Sequence, residues 1–471
     1  MMSQSPLVTC YVENSREFAA AGGFFTIRKL PQRVKPESTS ALRYIAGSCS
    51  TPYVMLALEP ELLEFEKDAL QSFGNALGSP DAIAIAYSDY TDCHENGNAA
   101  PHPLNSYSEG SVSDNFEMGK MILTTAEAIR QYLLQKPANR AYAGVYAFRL
   151  WVSLNGKITH IGKSLYTAIE RDNRKSGQKQ FDYLNPSLRR RQKEMEVVFT
   201  EYLKKIGAYI APEQLKKTDY AKFPGFECEA SVIIPVRNRA RTIADAVGSA
   251  LAQSTKFAFN VIVVDNHSTD GTTEILQKLA QENPSLIHIV PERTDLGIGG
   301  CWQLAADDAR CGKFAVQLDS DDIYSDNQTL EKIIHCFHRT RAAMVVGSYR
   351  LVDFNLNPLP PGVIDHKEWT TRNGHNNALR VNGLGAPRAF FTPMLREIRF
   401  PNTSYGEDYA MGLAFSRQHI LARIYDVLYL CRRWNDNSDA ALSQEKTNAN
   451  NAYKDSLRAA EIIARKKLNS Q

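Results

Sequence analysis

"KFAVQLDSDDIYSDNQTLEKII", residues 313–334, sets an apolar, strand-forming run directly against Asp319, Asp321 and Asp322. The run is nearly continuous rather than alternating, as in strands of a parallel sheet that are buried on both faces. Three carboxylates in so short a span repel, and raise one another's pKa unless a cation or hydrogen-bond donors offset the charge. On an extended strand end alternate residues share a face, so a D-x-D pair can bring Asp319 and Asp321 together. A hard divalent ion is the simplest compensation. Mg²⁺ or Mn²⁺ takes oxygen ligands, and Mg²⁺ is usually held by one or two carboxylates while substrate phosphates complete its shell. Aspartates also cap helices and turns, and Asp321 and Asp322 lead into the helix pattern TLEKII. Both uses remain open at this point.

Working outward, ASVIIPVRN (230–238), TIADAVGSALAQS (242–254) and FNVIVVD (259–265) read as strand, helix and strand with short joins. IHIVPERT (287–294), IGGCWQLAADDAR (298–310) and FAVQLD repeat the device. This pattern predicts a mostly parallel sheet with crossover helices. In open parallel sheets ligands bind outside the carboxyl ends of the strands. Arg237 and Asn238, Asp265 and Asn266, and Asp319 to Asp322 are therefore expected along one edge. VVDNHSTDGT (263–272) also carries a helix-capping signal at Thr269 or Asp270.

SVIIPVRN, VIVVDNHSTDGT, TDLGIGGCW and FAVQLDSDD, in this order, resemble a family 2 glycosyltransferase of the GT-A fold over residues 229–440. The resemblance implies an α/β domain with a mixed, mostly parallel sheet flanked by helices. It implies that Pro235, Val236, Arg237, Asn238, Asp265 and Asn266 meet the nucleotide of a nucleotide diphospho-sugar. Asp319 and Asp321 would hold Mg²⁺ or Mn²⁺ on the donor diphosphate. FPNTSYGEDYAMGLAFSRQ (400–418) carries Glu407 and Asp408, matching the family's E-D pair, in which Asp408 would be the base for inverting transfer. Acids there also favour a helix N-terminus electrostatically. NGLGAPRAFF (382–391) reads as a glycine-rich loop ahead of that segment. YLCRRWNDNSDAAL (429–442) places Arg433 and Trp434 as donor contacts, since an arginine fork suits phosphate oxygens.

Departures from the family pattern matter too. Asn266 and His267 replace an aspartate and a glycine, and Cys301-Trp302-Gln303 replaces a basic stretch, which puts an indole near the expected site. Leu430 stands where processive synthases carry the glutamine of Q-x-x-R-W, so non-processive transfer is expected.

TPYVMLALEPELLEFEKDALQSFGNAL (51–77) and AIAIAYSDYTDCHENGN (82–98) parallel residues 313–337 and 342–358. YAGVYAFRLWVSLNGKITHIGKSLYTAIE (142–170) likewise parallels residues 405–433. An internal repeat is expected. Its first copy, residues 1–180, would be a degenerate GT-A-like domain with Glu59-Pro60-Glu61 in place of D-x-D and Gly144-Val145 in place of Glu407-Asp408. It would serve acceptor binding or homodimerisation. Residues 181–228 read as a helical linker, 229–440 as the catalytic domain and 441–471 as a C-terminal helix. Arg189, Arg190 and Arg191 read as a solvated helix face or a contact with anionic lipid.

Of 471 residues, 43% are hydrophobic and 23% charged, and the net charge is only +3, so nothing global points to nucleic acid. No apolar run reaches the roughly 18 residues of a membrane span, and the start lacks a secretory pattern. Eight cysteines are scattered without a CxxC pair, which fits a reducing compartment. The expectation is a cytoplasmic, metal-dependent glycosyltransferase of hexosyltransferase type, peripheral at most at the inner membrane face. It would use a UDP-sugar by preference and a glycan, lipid-linked glycan or small hydroxyl acceptor, as in polysaccharide biosynthesis. The alternatives are an inactive tandem glycan-binding or scaffold protein, and a sugar-phosphate nucleotidyltransferase. PVRNRARTI lacks the phosphate-loop glycines that the latter calls for.

Overall fold

A computed structural model describes residues 7–13, 20–21, 25–58, 63–94, 98–170, 188–367, 372–433 and 442–471. The chain divides into two compact units, Met1–Ile206 with Ala441–Ala459 and Gly207–Ala440 with Ala460–Gln471.

The second unit is built on one sheet. Its strands lie in the order Leu286–Ile289, Phe259–Asp265, Ala230–Val236, Phe314–Gln317, Arg388–Phe391, Met344–Val352, Leu421–Arg432, Ile323–Tyr324. Pro358–Ile364 adds to Met344–Val352. The first four run parallel. Arg388–Phe391 is antiparallel to both of its neighbours, and Met344–Val352 and Leu421–Arg432 are parallel to each other. The unbroken VIIPV and VIVV runs follow from burial on both faces: Val232, Ile233, Ile234, Val261, Ile262 and Val263 are all enclosed. Helix Ile243–Leu251 covers one face with Ile243, Ala246, Val247 and Ala250, which are spaced to form a single helical stripe. The acidic strand ends thus emerge at the carboxyl edge of a rigid, fully packed sheet.

The first unit has a six-stranded sheet in the order Phe25–Lys29, Val8–Val12, Tyr53–Ala57, Met121–Thr125, Ala84–Ser88, Lys157–Ile161. Its successive pairings are parallel, parallel, antiparallel, antiparallel and parallel. The second unit's sheet, counted from Phe259–Asp265 to Leu421–Arg432, has the same run of directions. A smaller sheet of the first unit orders Leu63–Phe65, Tyr166–Glu170, Tyr90–His94 and Ala99–His102 as antiparallel, parallel and antiparallel pairs. Ile323–Tyr324, Leu421–Arg432, Met344–Val352 and Pro358–Ile364 pair in that same way. Where the first unit breaks its long strands, the second carries them through, with register shifts on either side of Ser348.

Helix Gly144–Asn155 of the first unit begins against the turn before helix Thr39–Ser48. A Cβ at Gly144 would lie 2.2 Å from the Thr39 backbone nitrogen, so only glycine fits. Helix Arg189–Lys205 buries Met195, Val198, Phe199 and Leu203, and a last helix spans Gln444–Asn469. Among the described residues no helix is long and apolar enough to cross a membrane.

Candidate active site

The aspartates that follow strand Phe314–Gln317 do three different things. Asp322 turns inward, only 4% exposed, and its Oδ1 accepts the Arg432 backbone N–H at 2.7 Å. Arg432 in turn donates from Nε to the Asp321 carbonyl (2.6 Å) and from Nη1 to Asp245 (2.8 Å). Asp319 is held from two sides, its backbone N–H donating to the Tyr429 hydroxyl at 2.9 Å and its Oδ1 accepting from Gln317 Nε2 at 2.9 Å. Asp321 Oδ2 lies 3.7 Å from Arg239 Nε. Asp322 therefore acts as a brace for the loop, while Asp319 and Asp321 are left at the edge.

Electrostatically the loop is under-compensated. Burial, then the charges of Asp321 and Asp319, push the Asp322 carboxyl well above the usual carboxylate range. Burial raises the Asp319 carboxyl as well, and Arg388 and Gln317 offset only part of that. Such a surplus of negative charge suits a hard divalent cation. Among the described residues no group of three His, Cys, Asp or Glu side chains is arranged to hold a metal. The chain's own contribution would be the two carboxylates Asp319 and Asp321, with the rest of the shell left to phosphate and water.

The next two strand ends form an interlocked loop pair. Asn238, at φ 55°, donates its backbone N–H to Ser268 Oγ (2.9 Å), and its Oδ1 accepts the Thr269 N–H (2.8 Å). Asp270 accepts from Ala240 N–H (3.0 Å), Thr272 N–H (3.1 Å) and Thr272 Oγ1 (2.6 Å). Asp265 is fully buried: Oδ1 accepts the Ser268 N–H (3.1 Å), and Oδ2 accepts from Thr273 Oγ1 (2.5 Å) with His288 Nε2 3.5 Å away. Burial alone would raise its carboxyl, but these donors bring it below the ordinary value. Asn266 donates its backbone N–H to the Val236 carbonyl and Nδ2 to the Leu296 carbonyl, both at 2.8 Å. Its Oδ1 is buried with no hydrogen-bond partner among the described residues. Arg237, by contrast, is exposed at this edge, beside half-buried Pro235 and buried Val236.

The E-D pair opens helix Glu407–Ser416, directly after Gly406 at φ 73°, a left-handed conformation that glycine adopts without strain. Arg388 Nη1 lies 2.5 Å from Asp408 Oδ2 and also donates to the Gly385 carbonyl at 2.9 Å. The Arg388 backbone N–H donates to Gln317 Oε1 at 3.1 Å. Gln317 thus joins the D-x-D loop to the strand that carries Arg388, and Arg388 joins that strand to Asp408. Among the described residues no ion pair reaches Glu407, and the Arg388 charge lowers its carboxyl only in part. Burial, then the neighbouring Asp408 charge, pushes its carboxyl up to about 8, and Oε2 is buried with no hydrogen-bond partner among the described residues.

The glycines of TDLGIGGCW serve this helix. The Gly297 N–H donates to Asn402 Oδ1 at 2.7 Å and the Gly299 N–H to the Thr403 carbonyl at 2.9 Å. A Cβ at Gly299 would lie 2.0 Å from the Pro401 carbonyl oxygen. Close approach of backbone to backbone therefore sets where residues 401–406 run, and with them the E-D pair. Trp302 does not face the strand edge. It is buried, stacked on Phe400 at 5.3 Å and edge-on to Phe390 at 6.0 Å, so it packs behind the E-D segment. The neighbouring Gln303 supplies Oε1 to the Phe400 N–H at 2.9 Å.

Arg433 continues the last strand, with its backbone N–H on the Val352 carbonyl at 2.8 Å. Trp434, Glu59 and Glu61 lie outside the described residues. Arg388 and Gln317 are the two site residues that the sequence reading passed over. The available signal was a charged residue standing immediately before the apolar strand AFF.

Sheet order, the acidic edge and the E-D helix together define the GT-A class of nucleotide-diphospho-sugar transferase folds. Residues 231–398 match the model for glycosyl transferase family 2. The chain is 30% identical over 125 residues to an uncharacterized glycosyltransferase of Nostoc sp., covering 26% of this chain and 38% of that protein. It is 34% identical over 110 residues to glycosyltransferase AglD of Haloferax volcanii, covering 22% of this chain and 17% of that protein. The match thus spans well under half of either relative. Among solved structures, TarS 1-349 of S. aureus in complex with UDP is similar with a TM-score of 0.37 and 22% identity, covering 50% of this chain and 71% of that one.

Proposed function

We propose that the second unit moves a hexosyl group from a nucleotide diphospho-sugar, a UDP-sugar by preference, to a hydroxyl on a glycan, lipid-linked glycan or small acceptor. Inversion at the anomeric carbon and non-processive action complete the reading. The observation that carries it is the short bonded chain from Asp319 through Gln317 and Arg388 to Asp408. It brings a cation-seeking carboxylate pair and a second carboxylate pair to one edge of the sheet, where donor and acceptor would meet.

Asp319 and Asp321 would hold Mg²⁺ or Mn²⁺. Such an ion, when bound, supplies positive charge to the leaving diphosphate. Pro235 to Asn238, with Asp265 and Asn266, form the loop pair that would seat the nucleoside. Arg433, with Trp434, would steady the diphosphate. Asp408 would take the acceptor's hydroxyl proton as that oxygen bonds to the anomeric carbon and the diphosphate leaves with the electron pair.

In this reading the first unit is a degenerate GT-A-like domain used for acceptor binding or homodimerisation, and the protein works in the cytoplasm or at the inner membrane face. The test is a donor screen that measures released nucleoside diphosphate with glycan and small hydroxyl acceptors, with and without Mn²⁺. Metal-stimulated release from at least one sugar donor is expected. No metal-dependent release from any donor sinks the proposal.

A further inference from the structure

We infer that Arg388 is a positioning residue for sugar transfer, fixing the Asp408 carboxylate in place. The inference rests on the functional reading above and extends it to a residue that no motif singles out.

Arg388 is the first residue of the antiparallel strand Arg388–Phe391, inserted between Phe314–Gln317 and Met344–Val352. Its backbone is pinned by Gln317 Oε1 (3.1 Å) and its guanidinium by the Gly385 carbonyl (2.9 Å), where Gly385 sits at φ 98°. The side chain is 16% exposed and Asp408 is 27% exposed, so the pair is largely shielded from water. A charge-assisted bond of this kind is stronger than one between neutral groups, and the fork of arginine holds a carboxylate in a defined orientation. The carboxylates of Asp408, Asp319 and Glu407 and the Tyr429 hydroxyl all act on this one guanidinium.

Arg388 pairs directly with Asp408, whereas Glu407 feels the guanidinium only through its charge. The division of labour within the E-D pair follows. Asp408, held by the guanidinium, is the member placed to receive the acceptor proton, and Glu407, with its buried Oε2, has its carboxyl pushed up to about 8. When Asp408 takes the acceptor proton, the guanidinium remains anchored on the Gly385 carbonyl, so the strand does not have to move.

The experiment uses the full chain in two arms. In the first, Arg388→Met and Arg388→Lys are compared with wild type in kcat for the donor that the screen identifies, and in UDP binding with Mn²⁺ by calorimetry. A kcat loss of about 10²-fold or more in Arg388→Met is expected, within the range for losing a positioned proton acceptor. UDP affinity should stay within about threefold, and Arg388→Lys should recover at least about tenfold of the loss, because it keeps the charge. A kcat near wild type, or kcat and UDP binding falling together, overturns the inference.

The second arm needs no turnover. Unfolding midpoints of wild type, Arg388→Met, Asp408→Asn and the double variant form a cycle. A double variant no less stable than the more affected single variant is expected. Additive midpoint losses overturn the pairing. Coupled midpoints in a wild type that turns over no donor overturn the functional reading, and the positioning role of Arg388 with it.

Discussion

Two strands, Tyr53–Ala57 and Phe314–Gln317, hold the same place in sheets with the same run of directions, yet described carboxylates elsewhere in the first unit are compensated differently from those beside Phe314–Gln317. In the first unit, two described aspartates are each settled by a histidine. Asp89 accepts from His160 at 2.7 Å, and Asp92 pairs with His102 at 2.5 Å beneath the stacked ring of Tyr90. Although burial works against it, bonds from Asp92 and Glu117 lift His102 to about 9, so the ion pair is kept. In the second unit, Asp319, Asp322 and Glu407 are all raised, because burial and the charge of neighbouring aspartates outweigh the cations nearby. The architecture accommodates either state. What sets the second unit apart is negative charge held without full compensation, a condition that costs stability and is expected where a charged ligand completes the site.

The largest effect should come from Asp408→Asn. Transfer should fall by about 10² to 10⁴-fold, as for loss of a general base, while UDP binding persists. Full activity would remove Asp408 from that role.

Next comes the metal. Saturating Mn²⁺ should raise the unfolding stability of the wild type, by about 2.7 kcal/mol at a hundred times its dissociation constant. Asp319→Asn with Asp321→Asn should abolish the rise. If the double variant gains as much as wild type, the ion sits elsewhere and the under-compensated charge beside Phe314–Gln317 loses its explanation.

Glu407→Gln sharpens the comparison through pH. With its carboxyl raised from 4.5 to about 8, folded Glu407 keeps a proton that the unfolded chain has released. Its contribution is therefore fully present below about pH 4.5 and lost as pH rises through about 8. Relative to wild type the glutamine variant should gain stability from pH 5 to pH 8, as measured by urea unfolding. An equal difference at both pH values would show that Glu407 is not held protonated. The smallest effect is expected in the first unit, where Glu59→Ala with Glu61→Ala should leave turnover unchanged; a large loss would mean that this unit takes part in the chemistry.

The parallel strands, the acidic edge and the E-D helix were legible because each is written in a short, local run of residues. What escaped depends on contacts distant in sequence. Asp322 became a brace through the backbone of Arg432, and the TDLGIGGCW glycines are explained by the carbonyls of residues 401–403. The packing of Trp302 was not legible because the surface it stacks on, Phe400, comes from a segment almost a hundred residues later. Arg388 was passed over because its meaning arises only when an antiparallel strand slots in beside Gln317.

A single nucleotide separates a glycine codon from an aspartate or glutamate codon, so in the genetic code Gly144 is one step from an acid at the head of its helix. The molecule closes that route. With the Thr39 nitrogen 2.2 Å from where a Cβ would stand, the helix must first shift its neighbour before any side chain can appear. For the first unit, a history of point substitutions that brings an acid to this position has to begin somewhere else.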